Sequence, residues 1–174
     1  EMCISASYHT LRDIQLATLA GVNYDEHFVI AGNVNSLLAA ENAMKCASIL
    51  FQRIAVNYGF HSPDILAAET SVLFSLNQVN FQPAQIPVIS CTTTKPVLNG
   101  LDASHFWLSM KDPMHFNDTL QKNHHNDHIY YDLGLSGTLT NFTRKVLKAH
   151  GDVEIIGTLA PMRKGTQWLT ELNG

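Results

Sequence analysis

Apolar positions change rhythm several times along this 174-residue chain, and each change marks an expected element. Residues 2–6 form a short apolar run that reads as a strand. Over residues 8–20 apolar side chains fall at 11, 14, 16 and 19, close to helical spacing, which predicts a helix. Residues 21–24 and 27–31 read as two strands joined at Asp25-Glu26, a hairpin. The Ala- and Leu-rich stretch 36–48 predicts a helix that Asn33 or Asn35 can cap. Residues 49–58 contain another strand. The order is β-α-β-β-α-β, the ferredoxin-like arrangement.

The second half has a different rhythm. Residues 64–79 predict a helix and 82–87 a Pro-containing linker. The unbroken apolar run at 88–92 predicts a short buried strand. Residues 104–110 and 114–122 suggest short helices, with Pro113 suited to a first helical turn. A strand is expected at 128–133, a turn at 134–137 opening a helix to about 150, and a last strand at 153–159. Strands alternating with helices imply a parallel sheet. The chain is therefore expected to be α/β, with a small subdomain over 1–59 and a parallel-sheet subdomain over 60–174. A cleft between two lobes is a common ligand site.

Composition narrows the function classes. With 45% hydrophobic and 15% charged residues, the chain can bury the core of one compact unit, or of one and a half small ones. Net charge is −4, and the 11 lysines and arginines are scattered, which argues against nucleic acid. No apolar run reaches the ~18 residues of a membrane span. Cys3, Cys46 and Cys91 make neither a disulfide framework nor a CxxC zinc motif, so free thiols in a cytoplasmic protein are expected. No signal peptide is visible, and because the sequence opens on Glu1 a natural start is expected upstream. The sequons at Asn117 and Asn141 fall in expected helices and are set aside.

Candidate chemistry centres on Tyr58-Gly59-Phe60-His61-Ser62-Pro63, where a strand ends and the chain turns toward a helix. Strand ends in α/β sheets commonly carry the reacting groups. His124, His125 and His128 with Asp127 form a second cluster. It lies in a polar loop with no helix to align ligands at i, i+4, so no metal is expected.

Five segments, in order, resemble the acyltransferase family of fatty-acid and polyketide synthesis. They are Val22-Asn23-Tyr24 with Phe28-Val29-Ile30-Ala31-Gly32; residues 56–63; Ile86-Pro87-Val88-Ile89-Ser90-Cys91-Thr92; Phe106-Trp107-Leu108 with Lys111-Asp112-Pro113-Met114-His115-Phe116; and the turn 131–139. The nearest likeness is to free-standing proteins that serve polyketide synthases in trans, with a lean to their acyl-hydrolase branch. The resemblance implies a ferredoxin-like small subdomain plus the C-terminal part of an α/β-hydrolase-like parallel-sheet subdomain. It implies a Ser–His dyad in which His61 is the base and the acyl group rides on the enzyme as an ester. Histidine suits this role because it accepts and returns a proton near neutral pH.

The family's serine elbow and oxyanion glutamine motif precede the small lobe and are not in this sequence. An N-terminal half, on the same or another chain, is thus an expected partner. Asn23, Tyr58, Gly59 and Phe60 fall on positions associated with the acyl pocket, with Gly59 leaving room for an acyl branch or serving backbone geometry. Cys91 falls where a backbone carbonyl orients the histidine. Leu135 departs from a common proline. Ser62, adjacent to His61, is not a credible nucleophile. Expected partners are an acyl carrier protein and an acyl-CoA or other acyl thioester; Arg163 and Lys164 could meet an acidic carrier. No cofactor is implied. The alternatives are a malonyl-CoA:carrier protein transacylase, or a non-catalytic piece that packs with a partner holding the nucleophile.

Overall fold

The computed structural model describes residues 1–5, 17–98 and 100–159. These fall into two compact units, Glu1–Thr119 and a second beginning at Leu120.

The first unit is built on a four-stranded sheet of β1 (Met2–Ser5), β2 (Thr18–Tyr24), β3 (His27–Ala31) and β4 (Leu50–Arg53). Spatial order is β2-β3-β1-β4, and every neighbouring pair is antiparallel. The alternation of β3 divides it between two faces. Phe28 and Ile30 join Met2 and Ile4 under α1 (Val34–Cys46), which contributes Leu37, Ala40 and Met44. Val29 and Ala31 face the other way with Ala20. Each large side chain so buried stabilises the lobe by roughly 1.5–3 kcal/mol. Asn33 caps α1, its carboxamide oxygen accepting from Ser36 N–H at 3.0 Å.

Several sequence expectations change here. The helix expected over 8–20 does not include residues 18–20, because Thr18 and Leu19 of β2 pair with Ala31 and Ile30; residues 6–16 lie outside the described residues. The helix expected over 64–79 opens as a 3₁₀ turn, Pro63–Ala68, and only then becomes α2 (Glu69–Leu76). No strand forms at 88–92. The chain folds into a tight reversal instead, with a single bridge between Ile89 and Pro96. Proline has no N–H to extend a ladder, and Ser90 spends its hydroxyl on Thr92 N–H.

Next come α3 (Ala103–Lys111) and α4 (Phe116–Asn123). The fourth helix starts two residues later than expected because Met114 is engaged elsewhere. Its N–H donates to Ala20 O at 2.9 Å and its carbonyl accepts from Val22 N–H at 3.0 Å, along the free edge of β2. Gly21 permits this approach: a Cβ there would lie 3.1 Å from both Met114 Cβ and Met114 O.

The second unit contains β5 (Tyr130–Asp132), α5 (Thr138–Val146), a 3₁₀ turn at Lys148–His150 and β6 (Ile155–Gly157). The two strands are parallel, as their separation by a helix requires. Asp132 ties them together. One carboxylate oxygen accepts from Gly134 N–H at 2.8 Å, the other from Thr140 N–H at 2.8 Å and Thr140 Oγ1 at 3.0 Å. Its backbone carbonyl accepts from Thr158 N–H and Oγ1.

Candidate active site

The segment after β4 is shaped by Gly59 and Ser62. Ser62 is extended (φ −146°, ψ 166°) and caps the 3₁₀ turn, accepting from Asp64 N–H at 3.3 Å. Its hydroxyl donates to Gly59 O at 2.7 Å. A Cβ on Gly59 would sit 2.9 Å from both Asp64 Cβ and Ser62 Oγ. The absent side chain of Gly59 therefore makes room for this turn. Ser62 is buried with its hydroxyl committed, in keeping with its exclusion as nucleophile.

His61 lies between these two residues with φ of 57°, in the left-handed region that non-glycine residues seldom occupy. Two hydrogen bonds hold it there. Its N–H donates to Met110 O at 2.8 Å, and its Nδ1 is 2.9 Å from Asp112 O. A carbonyl oxygen has no proton to give, so Nδ1 is the donor. In the neutral ring the lone pair is then on Nε2. Among the described residues no hydroxyl or thiol is hydrogen-bonded to Nε2.

The orienting carbonyl is thus Asp112, not Cys91. Cys91 O accepts from His115 N–H at 2.8 Å instead, and the half-buried Cys91 thiol has its pKa pushed up by burial against a smaller opposing hydrogen bond to Thr119. Asp112 reaches His61 for a local reason. It is the C-cap of α3 at φ −87°, ψ 153°, and it precedes Pro113. A residue before proline is driven out of the helical region, which swings this carbonyl off the axis of α3. Pro113 is thereby a helix terminator, not part of a first helical turn.

Tyr58 and Phe60 precede the histidine in sequence and meet edge to face at 6.2 Å; Tyr58 is 67% exposed and Phe60 half-buried. Asn23 is buried in β2 and lies across the hairpin from His27, with Nδ2 2.9 Å from His27 Nδ1. An amide nitrogen only donates, so His27 Nδ1 accepts and the ring is neutral. Burial, against a smaller backbone hydrogen bond, holds the pKa of His27 below the ordinary imidazole value. One group escaped the sequence reading. Glu1 lies within electrostatic reach of His61, half-buried, and its Oε1 is buried without a hydrogen-bond partner. Burial raises its pKa, while the nearby His61 pulls it down.

Among the described residues no three His, Cys, Asp or Glu side chains are arranged to hold a metal, and no helix is long and apolar enough to cross a membrane. Arg163 and Lys164 lie outside the described residues.

No protein-family model matches the chain. Individual proteins do. It is 34% identical over 131 residues to the polyketide biosynthesis acyltransferase homolog PksD of Bacillus subtilis, covering 74% of this chain and 40% of that protein. It is 31% identical over 155 residues to the homolog BaeD of Bacillus velezensis, covering 88% of this chain and 48% of that one. The chain thus spans under half the length of these relatives. Among solved structures, the acyltransferase domain from module 8 of the salinomycin polyketide synthase superposes on 98% of the chain with a TM-score of 0.83. The identity is 22%, and 43% of that domain is covered, so this likeness speaks to the fold.

Proposed function

We propose, from the premise that this chain belongs to the acyltransferase family of polyketide biosynthesis, that it supplies the acid/base histidine for acyl transfer from a thioester. One observation carries the reading: Nδ1–H of His61 is tied to Asp112 O, which leaves the Nε2 lone pair for a hydroxyl proton. The nucleophile is a serine contributed by a part of the enzyme outside this sequence. In that arrangement Nε2 takes the serine proton as Oγ bonds to the thioester carbonyl carbon. The carbonyl π electrons move onto oxygen. They return as the C–S bond breaks, and the imidazolium gives its proton to the departing sulfur. The acyl group remains as a serine ester. Water, or the thiol of a carrier protein, then loses a proton to Nε2 and attacks the ester by the same path.

The proposed fold assignment is a ferredoxin-like lobe over 1–59 followed, from 60, by the C-terminal part of the larger subdomain. The strand order β2-β3-β1-β4 and the parallel β5–β6 pair support it. The preferred acceptor is water, giving hydrolytic release of acyl groups from a carrier protein in the cytoplasm. Asn23 is a weaker pocket residue in this reading, since its amide is spent on His27. Phe60, adjacent to His61 in sequence, and Tyr58, which packs on Phe60, are offered instead as the residues that meet an acyl group.

A second reading has its own support. Among the described residues no hydroxyl or thiol is hydrogen-bonded to His61 Nε2. On that reading it is a non-catalytic piece that packs with a partner.

The test is a carrier-protein assay on the full-length protein, comparing loading from malonyl-CoA with release of acetyl and longer acyl groups. His61→Ala should lower turnover by roughly 10²–10⁴-fold. Unchanged turnover would remove His61 from the mechanism, and malonyl loading without release would move the activity to transfer.

A further inference from the structure

Four of the nine histidines gather in the second unit, away from any role given above. His124 follows α4, His125 and His128 belong to the loop before β5, and His150 closes the 3₁₀ turn after α5. The His124 and His150 rings meet nearly perpendicular at 4.6 Å, and those of His125 and His128 at 4.9 Å. His124 Nδ1 shares a hydrogen bond of 2.9 Å with Tyr130 Oη. Its Nε2 is buried with no hydrogen-bond partner. These contacts join the loop to the turn at 148–150, two segments otherwise connected through β5 and α5.

We propose that the His124–His150 contact is an acid-opened latch: as the pH falls below about 6.5, the loop at 124–129 and the turn at 148–151 part while β5, α5 and β6 stay folded. A neutral His124 needs a proton on only one nitrogen. The imidazolium carries one on both, so protonation fixes an N–H on the buried Nε2, which has no acceptor. It also sets a positive charge beside three other imidazoles. The charges acting on His124 are those of His150, His128 and His125. Lys122 and Lys148 flank the cluster in sequence. Asp127, Asp152 and Glu154 are the acidic side chains of the adjoining segments; all three are exposed, and none is bonded to the cluster among the described residues. Among the described residues no carboxylate is bonded to the cluster to neutralise the added charge.

The direction of titration agrees with the geometry. Burial, and then the three neighbouring histidines, hold the pKa of His124 below the ordinary imidazole value. A histidine lowered in this way leaves the closed arrangement intact above the ordinary value. That stability is lost as pH falls through the lowered one.

Amide hydrogen exchange on the full-length protein at pH 7.5 and 5.5, corrected for intrinsic rates, tests the latch. Peptides covering 123–130 and 147–152 should exchange at least about fivefold faster at the lower pH, while those within α5 hold. His124→Phe keeps a ring at the contact but cannot charge, and should reduce the acid effect to under about twofold. Equal protection at the two pH values in the wild type, or full opening in His124→Phe, overturns the proposal. Should that variant not fold, the exposed pair His125→Gln/His128→Gln should delay opening to lower pH, and an unmoved transition overturns it equally.

Discussion

At residue scale the decisive positions are those where a side chain is missing or a backbone is forced. Gly59→Ala would drive a Cβ to 2.9 Å from Asp64 Cβ and Ser62 Oγ. We expect a loss of about 1–3 kcal/mol in denaturant unfolding, together with a fall in turnover as His61 shifts. Unchanged stability would mean that the turn relaxes freely. His61 itself was legible in the sequence, because a histidine at the end of an apolar run before a helix start is a pattern of residue types. Its partner was not. The acceptor is a main-chain oxygen 51 residues away, and a carbonyl leaves no mark on residue identity. The only readable trace was Pro113, which forces its predecessor out of a helix. Asn23 was read as pocket-facing; its link to His27 depends on the β2–β3 register, which a one-residue slip would change.

At the scale of elements, the end of α3 holds the His61 ring and Asp132 ties the second unit. Pro113→Ala should let α3 run on and draw Asp112 O away. kcat is then expected to fall about tenfold or more at nearly constant KM, and an unaltered kcat would detach the helix end from catalysis. Asp132 is a buried carboxylate. Burial raises its pKa, but hydrogen bonds from Gly134 N–H, Thr140 N–H and Thr140 Oγ1 outweigh this and leave it below the ordinary carboxylate value. Its stabilising effect is therefore present above about pH 4 and lost as pH falls through the lower folded value. Asp132→Asn should cost about 1–3 kcal/mol near neutrality, with the gap closing in strong acid. A gap that stays constant to the lowest accessible pH would contradict this. Elements with strong local periodicity, such as α1 and β3, were readable from the chain. Those decided by distant pairing were not. Thr18–Ala20 went to a strand because β3 was there to receive it, and Met114 left its helix because the β2 edge was open.

For the whole molecule the salient property is apolar surface. The apolar helix α2 has no buried residue, Phe74 on it is 70% exposed, and Leu98 is 89% exposed. Monomeric proteins seldom leave so much uncovered. The chain alone is expected to self-associate from micromolar concentration upward in sedimentation velocity, and Phe74→Glu should weaken that association. A monomer throughout, for both proteins, would show that the surface is tolerated. The clasp of His61 by Met110 O and Asp112 O has one more consequence, for how this protein can diverge. Main-chain acceptors survive almost any exchange of side chain at 110 and 112. They do not survive a change in chain length between Trp107 and Pro113, since one inserted or deleted residue rotates the end of α3 by about 100° and aims a different carbonyl at the histidine. Drift in composition should be common in that segment, and drift in length should not.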